Sequence, residues 1–176
     1  MEPIIFREYD IRGVYNKQFD NEFAYHPGKA LCSFIYKKTN KKDLRMSLGH
    51  DARTSCGPLI AALQKGFIES GAHVYMLGLV TSPISYYSTF NLNLDGAIMV
   101  TGSHNPPEYN GFKLSVGTTT IHGADIQTLQ KIINEKDYIT GNGSSEHYDI
   151  FPSYLNRYKE EFKEIKPFKV VLDCGN

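Results

Sequence analysis

The chain has no long hydrophobic run, no excess of charge and no paired cysteines. It contains no stretch of about 18 apolar residues and no signal-peptide pattern, so we expect no membrane segment and a cytoplasmic location. Its 19 basic and 19 acidic residues cancel, which gives no electrostatic sign of binding to nucleic acid or to a membrane. The three cysteines, Cys32, Cys56 and Cys174, form no CxxC motif, and we interpret them as reduced thiols. The histidines follow no HxH or HExxH spacing, which argues against a histidine metal site.

Strand-like and helix-like segments alternate along the 176 residues. Helical spacing and capping residues predict helices over residues 23–38, 55–70, 82–90, 124–133 and 154–165. Alternating or wholly apolar runs predict strands over residues 44–49, 72–77, 96–100, 112–116 and 168–172. Thr54 or Ser55 is a candidate helix cap, the N-terminus is a short extended segment that turns at Gly13, and residues 140–145 are a flexible connection. This alternation predicts an α/β fold, a three-layer α/β/α domain with a mixed, mostly parallel sheet.

The strongest local signal is the segment TGSHNPP at residues 101–107, which follows a predicted strand. In open α/β sheets, ligands bind outside the carboxyl ends of the strands. Gly102 lets the backbone turn sharply beside a ligand, and the two prolines stiffen the loop. We therefore predict a rigid loop that presents the hydroxyl of Ser103, which can carry a group covalently. His104 and Asn105 could donate hydrogen bonds to a phosphate held there.

Two cations are candidates for the same site. In a strand, Phe112 and Lys113 point to opposite faces, so Phe112 can enter the core while Lys113 reaches the ligand. Lys113 could balance phosphate charge or move protons. Arg12 has the planar fork that suits phosphate oxygens. The residues alone leave simpler interpretations open: a solvated turn for the serine loop, a solvent-facing lysine, and an ion pair of Arg12 with Glu8 or Asp10.

Four segments together resemble the motifs of the α-D-phosphohexomutases, in the order that this family shows. They are FREYDIRG at residues 6–13, GHDAR at 49–53, TGSHNP at 101–106 and GFK at 111–113. The first motif resembles the phosphomannomutase/phosphoglucomutase branch. Residues 170–176 resemble the opening strand of the family's second domain. The resemblance implies that residues 1–150 are domain I with the phosphoserine loop, and that residues 151–176 are a linker helix and the first strand of a truncated domain II.

The resemblance implies a mechanism in which Ser103 carries a phosphoryl group. Ser103 would donate it to mannose 1-phosphate or glucose 1-phosphate and form a hexose 1,6-bisphosphate. The bisphosphate would return its other phosphate to the serine and leave hexose 6-phosphate. By motif position, Arg12 and Lys113 would assist proton transfer, and His104 would contact phosphate or sugar.

The substrate-binding residues that the resemblance implies are Tyr9, Asn105 and Arg53. For Arg53, a salt bridge with Asp51 that supports the serine loop is an equal alternative. The resemblance also implies Mg²⁺, with Ser103 or its phosphate as the ligand from this chain. The family's remaining ligands lie in an aspartate-rich loop of the second domain, and no such run occurs here. Because a hard cation binds weakly through one ligand, we expect no appreciable mutase turnover from these 176 residues alone.

Two other classes of function remain as alternatives. The first is a non-catalytic phosphosugar-binding module, and an aspartate-rich loop encoded beyond Asn176 would argue against it. The second is a serine hydrolase, suggested by adjacent Ser103 and His104. Neighbouring residues seldom reach nucleophile–base geometry, and no GxSxG elbow is present. The expected partners are hexose phosphates, with no nucleic acid and no membrane.

Overall fold

Seven strands form one mixed sheet in the computed structural model, which describes residues 5–174. The strands are β1 (Ile11–Val14), β2 (Arg45–His50), β3 (His73–Leu79), β4 (Gly96–Val100), β5 (Tyr109–Val116), β6 (Thr119–Thr120) and β7 (Ser144–His147). Their order is β1-β5-β4-β2-β3-β7, and β6 pairs with β5. Parallel pairings join β4, β2, β3 and β7, whereas β1, β4 and β6 pair with β5 in antiparallel fashion.

Helices cover both faces of this sheet, which confirms the predicted α/β/α layers. They are α1 (Asn21–Thr39), α2 (Cys56–Ile68), α3 (Ser82–Asn91), α4 (Ala124–Glu135) and α5 (Phe151–Glu161). The larger core lies between the sheet and the layer of α1, α2 and α4. A smaller core lies on the side of α3 and α5. Of the helices between residues 5 and 174, none has the length and apolarity needed to cross a membrane.

The central strands are buried on both faces, as a parallel sheet between helices requires. All five residues of β4 are buried. In β2, Met46 and Leu48 are fully buried among apolar side chains. Ser47, between them, is buried as well and shares a 2.8 Å hydrogen bond with Ser88 of α3. One face of β2 is therefore apolar, and the other carries a buried hydroxyl whose hydrogen bond to α3 is formed.

Two predictions at the ends of elements are wrong, and a third is correct only in position. Gly13 lies inside β1, opposite Asn110, and the chain turns later, at Asn16 with φ of 60°. Of the two cap candidates, Ser55 occupies the N-cap position of α2, but its backbone is helical (φ −77°, ψ −7°) and its side chain forms no capping hydrogen bond; its hydroxyl accepts a hydrogen bond from Asn110. Residues 144–145 are not a flexible connection, since they form β7 along the edge of β3.

The strand predicted over residues 168–172 is also absent from the described structure. The helix before it, α5, ends at Glu161, and the segment that follows belongs to no strand or helix. Its apolar side chains are exposed, with Val171 at 97% and Leu172 at 83% of full exposure. An apolar strand needs a partner for its backbone and a surface for its side chains. Neither is provided by the described part of this chain.

Candidate functional site

The carboxyl ends of three neighbouring parallel strands meet at one edge of the sheet. Asp51 directly follows β2, Val80 follows β3, and Thr101 follows β4. A cleft of about 480 Å³ opens here, a size typical of small-molecule sites. It is lined by Asp51, Ala52, Leu79, Val80, Thr81, Ser82, Met99, Thr101, Ser103 and Phe151. The sequence predicted a ligand site at this edge, and the serine loop does lie there.

Ser103 has an exposed side chain on a backbone that is held at both ends. Its φ is 57°, in the left-handed region that non-glycine residues seldom adopt. Its amide donates to the hydroxyl oxygen of Thr101 at 2.8 Å. Its carbonyl oxygen accepts a hydrogen bond from Arg53 at 3.1 Å. The serine hydroxyl is thus presented to the cleft from a fixed position.

Arg53 uses all five of its guanidinium N–H groups within the protein. Nε donates to the carboxylate of Asp51 at 3.2 Å. Nη1 donates to the carbonyl oxygens of Pro106 and Tyr109 at 2.6 and 2.9 Å. Nη2 donates to those of Ser103 and Asn105 at 3.1 and 2.7 Å. This geometry favours the loop-supporting alternative for Arg53 over direct contact with a substrate.

Gly102 has a different role from the one that the sequence predicted. Its φ lies outside the left-handed region, so the special backbone geometry belongs to Ser103. A Cβ atom at position 102 would overlap the guanidinium of Arg53. Glycine is therefore needed here because it leaves room for the side chain of Arg53, which follows β2.

Asp51 connects the two groups that hold Ser103. Its carboxylate accepts hydrogen bonds from the Thr101 hydroxyl at 2.7 Å, from Nε and the amide of Arg53, and from the Cys56 thiol at 3.3 Å. Burial raises the pKa of this carboxyl, but these hydrogen bonds and the charge of Arg53 lower it, and the net pKa is below its ordinary value. Asp51 is therefore an anion at neutral pH.

A buried layer beneath Asp51 was missed by the sequence analysis. The side-chain amide of Asn110, which is fully buried in β5, donates to Ser55 at 2.8 Å and to Cys56 at 3.5 Å. Burial, with the nearby Asp51, raises the pKa of the Cys56 thiol to about 11, so Cys56 stays neutral. The available signal was an asparagine next to the glycine that begins the GFK motif, at a position that the strand buries completely.

Arg12 and Lys113 lie on the same face of the sheet as the cleft. Arg12 pairs with Gly111 across β1 and β5, and Lys113 pairs with Met99 across β5 and β4. Met99 lines the cleft. Because side chains alternate along a strand, Arg12 and Lys113 share the face of Met99. The buried position predicted for Phe112, on the opposite face, is confirmed.

Arg12 forms an ion pair with Asp10, which is only 5% exposed. This was one of the simpler interpretations that the sequence left open. Within the described residues, the Nε of Arg12 is buried and has no hydrogen-bond partner. Asp10 therefore fixes one side of the guanidinium and leaves part of its donor capacity unused.

The remaining predicted site residues differ in how closely they join the serine loop. Nδ1 of His104 is 3.4 Å from the hydroxyl of Ser103, longer than an ordinary nucleophile–base hydrogen bond. The side-chain amide of Asn105 donates to the carbonyl oxygen of Gly102 at 3.0 Å, so it stabilises the loop. Tyr9 is 66% exposed, and its ring stacks on His122.

The described residues do not form a magnesium site by themselves. Between residues 5 and 174, no group of three or more His, Cys, Asp or Glu side chains is placed to hold a metal ion. Asp51 is the carboxylate at the cleft, and its oxygens are already engaged. From this loop, the family resemblance implies the Ser103 oxygen, or a phosphate on it, as the ligand that would hold Mg²⁺.

Fold and site define an α/β/α domain that presents a fixed serine loop at the carboxyl edge of its sheet. The chain belongs to the phosphoglucomutase/phosphomannomutase family, because residues 3–140 match the model of that family's α/β/α domain I. Members of this family are generally Mg²⁺-dependent.

Curated relatives support this assignment. A phosphomannomutase/phosphoglucomutase of Pseudomonas aeruginosa is 39% identical over 172 residues, which cover 98% of this chain and 36% of the relative. A phosphoglucomutase of Neisseria meningitidis is 36% identical over 174 residues, which cover 98% of this chain and 37% of the relative. This chain thus spans a little over a third of the length of these relatives.

Solved structures agree with the sequence comparison. A phosphoglucomutase/phosphomannomutase family protein from Burkholderia thailandensis superposes with a TM-score of 0.84 and 35% identity, covering 92% of this chain and 36% of the other. A putative phosphomannomutase from Thermus thermophilus superposes with a TM-score of 0.78 at 24% identity, covering 91% of this chain and 36% of the other, and supports the fold.

Proposed function

We propose that this chain is the serine-bearing domain of a phosphohexomutase that interconverts hexose 1-phosphates and hexose 6-phosphates. The observation that carries the proposal is Ser103: an exposed hydroxyl on a loop fixed at both its amide and its carbonyl, beside a cleft, in a chain of this family. The names of the relatives supply the substrate class, mannose or glucose phosphates.

The reaction proceeds in two phosphoryl transfers. The 6-hydroxyl oxygen of a hexose 1-phosphate attacks the phosphorus on Ser103, the bond from phosphorus to Oγ breaks, and the hydroxyl loses its proton as Oγ gains one. The resulting hexose 1,6-bisphosphate turns around. Oγ then loses its proton and attacks the phosphorus at position 1, the bond from phosphorus to the anomeric oxygen breaks, and that oxygen gains a proton. This step restores phosphoserine and releases hexose 6-phosphate. Positioning and charge stabilisation supply most of the acceleration in such transfers.

The chain's other residues act around this centre. Lys113 and Arg12, on the cleft face of the sheet, assist the proton transfers and balance phosphate charge. His104 contacts phosphate or sugar from the loop itself, and Tyr9 and Asn105 contribute to substrate binding. Mg²⁺ would neutralise charge on the serine phosphate. Since Ser103 is the ligand that this loop offers, the 176 residues alone have no appreciable turnover.

The test is a coupled mutase assay of the gene's whole reading frame on mannose 1-phosphate and glucose 1-phosphate, with Mg²⁺ and a trace of hexose 1,6-bisphosphate. Ser103→Ala removes the phosphate carrier, and we expect its activity to fall by at least about a thousandfold, as for removal of a covalent nucleophile. Ser144→Ala is the matched control, because Ser144 lies on the far edge strand β7 and bonds to His73.

Intact phosphoprotein mass supplies a second readout. Incubation with hexose 1,6-bisphosphate should add one phosphate at Ser103 in the parent and in Ser144→Ala, but none in Ser103→Ala. A Ser103→Ala protein that turns over as fast as the parent would refute the mechanism. A whole reading frame that binds hexose phosphates without turnover would favour the non-catalytic phosphosugar-binding module.

A further inference from the structure

Ser103 adopts an unfavourable backbone conformation that must be maintained by its neighbours. A left-handed residue other than glycine costs roughly 1–2 kcal/mol. Such conformations persist where surrounding contacts determine them. Both backbone polar groups of Ser103 are bound, the amide by Thr101 and the carbonyl by Arg53. Nothing in the serine side chain itself accounts for the geometry.

The two holding groups are joined to each other through Asp51. One carboxylate oxygen accepts both the Thr101 hydroxyl and Nε of Arg53. Thr101 follows β4 and Arg53 follows β2, two strands that pair side by side. The arrangement therefore ties the serine loop to the two central strands of the sheet, whose residues are almost all buried.

We propose that Asp51, Arg53 and Thr101 are positioning residues, a clamp that holds Ser103 in its left-handed conformation and so aims its hydroxyl for phosphoryl transfer. The proposal rests on the function proposed above. Arg53 acts through the loop carbonyls, since its five N–H groups are bound to protein acceptors. The clamp makes the loop rigid before any substrate arrives.

The clamp predicts a fall in kcat with little change in KM. A displacement of about 1 Å at a reacting atom can lower the rate about a hundredfold. In the whole reading frame, Arg53→Ala should therefore lower kcat by about that factor while KM for the hexose phosphate stays close to the parent's. Arg45→Ala is the matched control. Arg45 is the first residue of β2, at the end of the strand away from the cleft, and its guanidinium donates a hydrogen bond to the Tyr75 hydroxyl.

Gly102→Ala tests the same clamp without removing any donor. The added methyl group would overlap the guanidinium of Arg53 and displace it. We expect Gly102→Ala to lower kcat about as much as Arg53→Ala does. The double variant should be no slower than either single variant, since displacement of an absent side chain has no effect. Effects on kcat that multiply in the double variant would overturn the proposal, and so would an Arg53→Ala variant that raises KM at unchanged kcat.

Two substitutions of Thr101 test whether its hydroxyl is needed to hold Ser103. Thr101→Val keeps the shape but loses the hydroxyl that joins the Ser103 amide to Asp51. Thr101→Ser keeps the hydroxyl. We expect the valine variant to lose kcat and the serine variant to retain most of it. Equal kcat values for the two variants would refute the role of this hydroxyl.

Hydrogen exchange of the 176-residue chain separates the clamp from the proposed chemistry. In Arg53→Ala, amides within residues 101–109 should exchange faster, while those of β2 and β4 keep the parent's rates. Uniformly faster exchange would mean that Arg53 only supports global stability, and unchanged exchange in the loop would refute the clamp. Activity of Ser103→Ala decides the proposed function separately, so the two ideas can fail independently.

Discussion

At the scale of single residues, the three thiols lie in different environments. Cys32 and Cys56 are buried, whereas Cys174 is exposed. Burial raises the pKa of Cys32 to about 12 and, together with the nearby Asp51, that of Cys56 to about 11. Thiolate is the reactive form of cysteine, so both buried thiols should be inert at neutral pH.

We expect one fast-reacting thiol in the folded chain and three after denaturation, measured with 5,5′-dithiobis(2-nitrobenzoate) at pH 7.5. The fast thiol is Cys174, so Cys174→Ser should remove the fast phase and leave two thiols in denaturant. Rapid reaction of a second thiol in the folded protein would contradict the burial of Cys32 and Cys56.

Asp51 should make the free energy of unfolding depend on pH, and the sign of this dependence follows from the direction in which its pKa is shifted. Its pKa in the folded chain lies below the ordinary value, which is about 3.9 for an unfolded aspartate. The stabilisation is therefore present above about pH 4 and is lost as the pH falls through the folded pKa. Asp51→Asn should cost about 1–3 kcal/mol of unfolding free energy at pH 7, because an NH2 group replaces one of the two accepting oxygens and the charge opposite Arg53 is lost. Urea unfolding should show this difference shrinking towards pH 3, and a constant difference would contradict it.

At the scale of elements, α1 and α2 approach each other closely through two glycines. A Cβ atom on Gly28 would lie 2.7 Å from the carbonyl oxygen of Leu63, and one on Gly66 would overlap the carbonyl oxygen of Tyr25. The two helix backbones are thus in contact at this point. Any side chain here would force the helices apart.

Gly66→Ala should destabilise the chain by about 1–3 kcal/mol, the usual cost of overpacking. This loss occurs although alanine favours a helix over glycine by up to about 1 kcal/mol. Gly57→Ala in the same helix is the control, because a Cβ atom there meets nothing within 4 Å. Thermal unfolding should show a lower midpoint for Gly66→Ala and an equal or higher one for Gly57→Ala. A higher midpoint for both would mean that the helices are not in contact.

Most helices and the parallel strands could be predicted because their signals are local. α3 and β4 begin at the residues that the sequence indicated, Ser82 and Gly96, and the serine loop follows β4 as expected. β7 was missed, since polar residues 144–147 form a strand by pairing with the edge of β3. The sequence identified the serine loop, but it could not predict the left-handed backbone of Ser103 or the hydrogen bonds of Arg53. Those contacts join residues about 50 positions apart, as from Arg53 to Ser103, and only the folded sheet brings them together.

At the scale of the whole molecule, the apolar segment after α5 stands apart from both cores of the described structure. Residues 163–174 belong to no helix or strand, and Val170 to Leu172 are largely exposed. The sequence predicted that the strand here belongs to a second domain. That prediction would account for the exposed side chains, since their partner strands would come from later residues.

Limited trypsin digestion should first cleave after Lys163 and Lys169, because backbone without partners reaches a protease site most easily. Lys166 precedes Pro167 and should be spared. Mass spectrometry should find a resistant product that retains residues up to Lys163. In the whole reading frame the same bonds should be protected if this segment is a strand of a second domain. Initial cleavage of the 176-residue chain within the sheet would contradict the structure.

The antiparallel pairing of β1 with β5 has a consequence for how the protein is made. Ile11 pairs with Phe112, so the strand that carries Arg12 leaves the ribosome long before its neighbour exists. At the usual rate of synthesis the interval is roughly 5–20 s. During that time the N-terminal residues lack their place in the sheet. The sheet face that carries Arg12 and Lys113 is therefore complete only after the ribosome has made β5.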